Sequence, residues 1–236
     1  MAVGKLLELA RSKESRLILA LDFWEGTSPA ELLRGLRGLA CGVKMGLLAL
    51  LKLGPREIVK LIEEFSRDYY FLADFKLADI PGIAKCALSM LRDMGFDGAV
   101  THLFHGGVEE VLQEGVGIDL VGVVAMSHRG SEMLLQNFER LLEYSVDLGL
   151  SAVVIGATRP DLLSRAARRL ENRALVLSPG VGFQGVEPGE ALRRGADFEI
   201  VGRSITLSRD PASAARSVVE AHRRWLREGR DRQGAS

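Results

Sequence analysis

The chain has 236 residues, 47% of them hydrophobic and 26% charged, with 26 Gly and only 7 Pro. That composition excludes long disorder, collagen-like repeats and low-complexity linkers. Basic and acidic residues number 31 each, so no general polyanion surface and no nucleic-acid partner is expected, although a local phosphate site stays open. Cys41 and Cys86 can build no disulfide framework and have no metal-ligand spacing, which fits a reduced, cytoplasmic setting. The opening stretch MAVGKLLELARSKES carries charges through its apolar residues, unlike a signal peptide. No uncharged apolar run reaches the roughly 18 residues that a membrane span needs, so no membrane association is expected.

Taken in chain order, a first helix near Val3–Arg11 is predicted to precede the sheet and cover one end of it. Strand one reads as Leu17–Asp22, and Ser28-Pro29 then opens a helix with a capping Ser and Pro at the first helical position. Strand two, Gly42–Gly46, is followed by a helix that Gly54-Pro55 opens and IVKLIEEF continues. Strand three, Tyr69–Asp74, leads to a helix running from Pro81 to Gly95. Strands four to eight read as Gly98–His102, Leu120–Met126, Ala152–Gly156, Ala174–Ser178 and Phe198–Gly202. The later helices are SEMLLQNFERLLEYSVDLG, RPDLLSRAARRL, PGEALRRG and PASAARSVVEAHRRWL. Most of the strand runs are continuously apolar, as parallel strands covered by helices require. The alternation, with short connections and no linker, argues for a closed (β/α)8 TIM barrel as a single domain over 1–228. A doubly wound open sheet is the alternative. The tail 229–236, GRDRQGAS, reads as frayed and solvated.

A barrel places its chemistry at the C-terminal ends of the strands. Asp22 ends strand one, Lys44 lies near the end of strand two and Asp74 ends strand three, with Lys76 and Asp79 close behind. Charges at the ends of apolar strands are costly unless paired with each other or with a ligand. Structural salt bridging at the barrel mouth and catalysis both satisfy that demand. Asp74 and Lys76 are two apart, so in an extended segment they point the same way. Asp79 precedes the Pro81 helix and could act as its cap.

The far end of the chain offers a second site. Ser178-Pro179-Gly180-Val181-Gly182 follows strand seven, and Gly202-Arg203-Ser204 follows strand eight. Glycines let backbone N–H groups approach an oxyanion, and loops seven and eight are the usual phosphate site of this barrel. Arg203 would grip the phosphate with its two-pronged fork; the competing reading is that the glycines only make tight turns. The loop Val181–Gly189, with Gln184 and Gly185, could close as a lid. His102 and His105 lack the i, i+4 helical spacing of a metal pair, so no metal ligands are expected among them. His128 and His222 suggest no role. Seven Lys against 24 Arg make two Lys at strand ends conspicuous.

Together these residues resemble orotidine 5′-phosphate decarboxylase in its short microbial and archaeal form. The similarity runs from LALD at Leu19–Asp22 to IVGRSI at Ile200–Ile205. Its most specific part is DFKLADIP, Asp74–Pro81, an Asp-x-Lys-x-x-Asp signature, supported by GVKMG, MSH, SPGVGFQG and VGRSI. The resemblance implies cofactor-free decarboxylation of orotidine 5′-phosphate to uridine 5′-phosphate, the last step of de novo pyrimidine synthesis. By it, Lys44, Asp74 and Lys76 form a charged network that Asp79 completes from the second subunit of a homodimer. Lys76 is the implied proton donor to carbon six, and Asp22 and Lys44 the implied ribose ligands. Ser127 and Gln184 are implied to contact the pyrimidine, with Pro179, Gly180, Gly202 and Arg203 around the phosphate. Val100, Val123 and Val154 would line the pocket that receives carbon dioxide.

One departure stands out: family members of this type usually carry Thr two residues past the Pro, where this chain has Ile83. Isoleucine cannot make the ribose hydrogen bond expected there, so a modestly raised Michaelis constant is predicted. Two rivals remain. A magnesium-dependent sugar-phosphate decarboxylase or aldolase of the same superfamily would carry Glu at the end of strand two, where this chain has Lys44, a cation that repels a divalent ion. A non-catalytic nucleotide-binding barrel would be expected to lack one of Lys44, Asp74, Lys76 or Asp79, and all four are present.

Overall fold

A computed structural model describes residues 3–113, 115, 117–171 and 173–233. Its strands are β1 (Leu17–Ala20), β2 (Gly42–Gly46), β3 (Tyr70–Leu77), β4 (Gly98–His102), β5 (Asp119–Ala125), β6 (Ala152–Ile155), β7 (Leu175–Pro179) and β8 (Phe198–Val201). All neighbours pair in parallel, and β8 returns to β1 through Leu17 opposite Glu199 and Leu19 opposite Val201. The sheet is therefore a closed barrel, and the open doubly wound alternative is excluded. Every predicted run forms a strand because each is buried on two faces, by the barrel interior and by the helices outside; all five residues of β2 are buried.

The helices are α1 (Val3–Lys13), α2 (Pro29–Gly35), α3 (Leu47–Phe65), α4 (Pro81–Asp93), α5 (Val108–Gln113), α6 (Glu132–Gln136), α7 (Phe138–Asp147), α8 (Pro160–Leu170), α9 (Glu190–Arg193), α10 (Arg203–Thr206) and α11 (Pro211–Gln233). Ser28 caps α2 as its sequence suggests: its Oγ accepts from Glu31 N at 3.2 Å, while Glu31 Oε2 accepts from Ser28 N at 3.0 Å. α3 begins seven residues before the predicted Gly54-Pro55 start, at Leu47, and bends where Gly54 takes φ 72° and ψ 164°. The glycine marks a kink inside the helical segment because the left-handed region is open to it at little cost. α11 continues to Gln233, into the stretch expected to fray from 229, and residues 234–236 of that stretch lie outside the described residues.

α1 closes the N-terminal end of the barrel. Lys13 donates to the carbonyls of Ala40 and Asp68, just before β2 and β3. Lys5 pairs with Asp97 at 2.6 Å, ahead of β4. The β8–β1 seam has its own fastening in Glu199, fully buried on β8. Its carboxylate accepts from Gly189 N at 2.9 Å and Ala191 N at 3.1 Å and meets His222 Nε2 of α11 at 2.8 Å. His222 Nδ1 accepts from Arg16 N at 3.3 Å, so Nε2 is the nitrogen left to donate to Glu199. The N-terminal end is thus occupied by structure, and the opposite end is open.

Candidate active site

At the open, C-terminal end, four side chains form a line of alternating charge. Lys44 lies in β2 opposite Ala20 of β1, and its ammonium contacts Asp22 Oδ2 at 2.8 Å and Asp74 Oδ2 at 3.1 Å. Asp74 Oδ1 in turn accepts from Lys76 Nζ at 2.7 Å. Asp22, just past β1, is steadied by Gly46, whose N–H donates to Oδ1 at 3.0 Å. Lys44 and Asp74 keep only 9% and 10% of their side-chain surface exposed, while Lys76, at 36%, reaches the open end.

Lys76 and Asp74 meet, but not by simple strand alternation. Lys76 has φ 47°, and the pairing of β3 with β4 shifts register between Ala73 and Leu77. A non-glycine residue in the left-handed region costs about 1–2 kcal/mol, a strain that concentrates at functional sites. The register shift and the left-handed backbone together aim the Lys76 side chain where β3 reaches the barrel mouth.

The electrostatics follow from burial and neighbours. Burial opposes the charged form of Lys44, but the Asp74 and Asp22 carboxylates outweigh it and hold its pKa above the ordinary lysine value. Burial likewise opposes ionised Asp74, and Lys44 and Lys76 outweigh it, holding that carboxyl below the usual range. Both groups are therefore charged at neutral pH. Burial, then the nearby Lys76 ammonium, holds His102 of β4 below the ordinary histidine range.

These side chains line one wall of a cavity of about 230 Å³. Val100, Val123 and Val154 give it an apolar floor, and Ser127, Pro179, Gly180, Gln184, Gly202 and Arg203 form the rest of the expected set. Ser127 is seated by tight packing: a Cβ on Gly156 would fall 2.6 Å from its Cα, and Thr158 Oγ1 donates to its carbonyl at 2.7 Å. Gly185 N donates to Gly182 O at 2.8 Å, closing a turn that presents Phe183 and Gln184 at its tip. Phe23 and Phe183 also line the cavity, and no sequence reading singled them out. The signal available for Phe183 was an aromatic residue set among loop glycines, away from any core-forming run.

Asp79 is not brought into this cavity. It is exposed, and its Oδ1 accepts from Ile80 N at 2.7 Å. The N-cap of α4 is Ile80, without a side-chain cap bond, so Asp79 does not fill the capping role considered for it. Ile83, two residues past Pro81, is exposed on the same helix. His102 and His105 each leave a buried Nδ1 without a partner. Among the described residues no three His, Cys, Asp or Glu side chains gather as a metal site, and the position between Asp22 and Asp74 is filled by the Lys44 ammonium.

A sequence model of the family "Orotidine 5′-phosphate decarboxylase / HUMPS" matches residues 15–218. The chain belongs to that family. The orotidine 5′-phosphate decarboxylase of Aeropyrum pernix is 39% identical over 215 residues, covering 87% of each chain. That of Thermococcus kodakarensis is 36% identical over 211 residues, 88% of this chain and 97% of the relative. Among solved structures, the decarboxylase of Metallosphaera sedula superimposes with a TM-score of 0.78 at 35% identity, over 88% of this chain and 98% of the other. The Methanocaldococcus jannaschii enzyme, crystallised with the inhibitor BMP, gives 0.78 at 26% identity and the same coverage. The family also takes in HUMPS members, so the site residues carry the choice of reaction.

Among the described residues no helix is long and apolar enough to cross a membrane.

Proposed function

We propose that the chain is a carboxy-lyase that converts orotidine 5′-phosphate to uridine 5′-phosphate without a cofactor, Lys76 being the proton donor. The observation that carries this reading is the Asp22–Lys44–Asp74–Lys76 array on one wall of a cavity that Arg203 also lines. Breaking the bond between carbon six and the carboxylate leaves its electron pair on the ring carbon as carbon dioxide departs. The Lys76 ammonium stabilises that pair and delivers a proton to it, forming the C–H bond, and the resulting amine regains a proton from water. Asp74 holds Lys76 at 2.7 Å and faces the substrate carboxylate, an arrangement relieved as that charge leaves. The valine floor receives the apolar product.

An ammonium about 3 Å from the developing charge contributes on the order of 5 kcal/mol at an effective dielectric of about 20. Enzymes lower barriers by up to about 23 kcal/mol, so contacts remote from the reacting carbon are needed as well. The phosphate, held by Arg203 and the backbone around Gly180 and Gly202, is the remote group whose binding energy closes the Val181–Gly189 loop. In this reading Asp22 and Lys44 bind the ribose hydroxyls, and Ser127 and Gln184 the pyrimidine.

A homodimer belongs to the same proposal. Asp79 lies outside its own cavity beside exposed Ile80 and Ile83, with Leu51 and Phe104 also exposed. Large apolar side chains left exposed in this way can be buried against a second copy, to whose cavity Asp79 would contribute its carboxylate. The test is Arg203→Ala assayed on the nucleotide and on phosphate-free orotidine. Loss of two charge-assisted hydrogen bonds predicts kcat/KM for the nucleotide down by about a hundredfold or more, with little change for the nucleoside. Equal losses on both substrates contradict the division of labour.

A further inference from the structure

Arg203 does not wait in the cavity as a bare charge. Its guanidinium carbon stands 3.5 Å from the centre of the Phe183 ring, and it lies over Phe23 at 5.8 Å. Among the described residues it forms no ion pair, so these aromatic faces are what its charge meets before a ligand arrives. Phe183 is 61% exposed, which a ring placed for core packing would not be. The tight turn closed by Gly182 and Gly185 carries it there, with Gly182 at φ 77° and Gly185 at φ 88°. Gln184, the other residue at the tip, turns toward the cavity: a Cβ on Gly180 would lie 3.2 Å from its Oε1.

We infer that Phe183 is a positioning residue for a phosphate monoester, acting through Arg203. The inference rests on the reading of Arg203 as the phosphate ligand. A guanidinium stacked on a ring keeps all its N–H donors in its own plane, free to fork onto phosphate oxygens. The stack also restrains a long side chain that would otherwise sample many rotamers, so less ordering remains when the anion binds. No carboxylate has to be displaced first. Because ring and Gln184 amide share one turn, orienting Arg203 and seating the loop over the ligand become a single event.

The test measures binding of uridine 5′-phosphate and of uridine, neither of which reacts, to wild type, Phe183→Leu, Phe183→Tyr, Arg203→Ala and the Phe183→Leu/Arg203→Ala double variant. Leucine keeps apolar bulk without a π face, and tyrosine restores the face. Phe183→Leu is expected to weaken the nucleotide about threefold to thirtyfold and to leave uridine unchanged, with Phe183→Tyr close to wild type. In the Arg203→Ala background the leucine change is expected to add less than about twofold, the mark of one coupled unit. If Arg203→Ala weakens the nucleotide and Phe183→Leu does not, the phosphate site stands and the role given to Phe183 falls. It falls equally if Phe183→Leu has the same effect with and without Arg203, or weakens uridine as much. If Arg203→Ala leaves nucleotide affinity intact, the phosphate reading itself fails and this inference fails with it.

Discussion

Replacing Lys44 by methionine keeps a straight stem of similar length and removes the charge that holds two carboxylates together. At 2.8 and 3.1 Å from Asp22 and Asp74, and an effective dielectric of about 20, each contact has a gross attraction of roughly 5–6 kcal/mol. Desolvation returns much of this, and removing one partner of a buried pair costs about 3–5 kcal/mol net. Lys76 still holds Asp74 and Gly46 N–H still holds Asp22, so the lower figure applies, about 3 kcal/mol. For a chain of this size that is a fall of about 6–12 °C in melting temperature at pH 7. The pH dependence has a definite sign. Asp74 titrates below its ordinary value in the folded protein, so the stability it contributes is present above the unfolded carboxyl range and is lost as pH falls through the lowered pKa. In the variant Asp74, left with Lys76 as its one cation, takes up a proton more readily than in wild type, so the deficit shrinks as pH falls below about 4, the carboxyl range. Thermal unfolding of both proteins at pH 7 and at about pH 3, below the unfolded carboxyl range, measures this. A variant as stable as wild type at pH 7, or a deficit that does not change with pH, would refute the idea that Lys44 compensates buried charge.

Gly46→Ala has an acceptable backbone, since φ is −93°, but its Cβ would fall 2.2 Å from Asp22 Oδ1. The obstacle is the end of a flexible side chain, so the carboxylate moves and the fold stays. A melting temperature within a few degrees of wild type is expected with about tenfold weaker binding of uridine 5′-phosphate; unchanged affinity would show that Asp22 makes no ribose contact. Glu199→Ala strips a buried acceptor from Gly189 N, Ala191 N and His222, leaving three donors unsatisfied. Urea unfolding should show a loss of about 3–5 kcal/mol, and a loss below about 1 kcal/mol would contradict the fastening described at the β8–β1 seam.

The barrel was legible because parallel strands buried on both faces are written as continuous apolar runs, and because Ser28-Pro29 and Pro81 mark helix starts by their own chemistry. Gly54-Pro55 misled: it has the form of a helix start, yet Leu47–Leu53 is already helical before it. The short helices α5 and α10 offer too few residues for a periodic pattern. The charged array was legible one residue at a time, since a charge at the end of an apolar strand needs a partner. How Asp74 and Lys76 meet was not, because nothing in a lysine announces φ 47°. Glu199 and His222 lie 23 residues apart on a strand and a helix, and only the closure of the barrel brings them together. The Phe183–Arg203 stack likewise depends on two loops that meet only in the folded chain.

The central claim is that Lys76 protonates the product of a metal-free decarboxylation. The most direct measurement follows the absorbance of orotidine 5′-phosphate with wild type and with Lys76→Ala, each with and without a metal chelator. The account predicts wild-type turnover that the chelator leaves unchanged and that disappears in the variant. Turnover abolished by the chelator, or retained when Lys76 is removed, would contradict it.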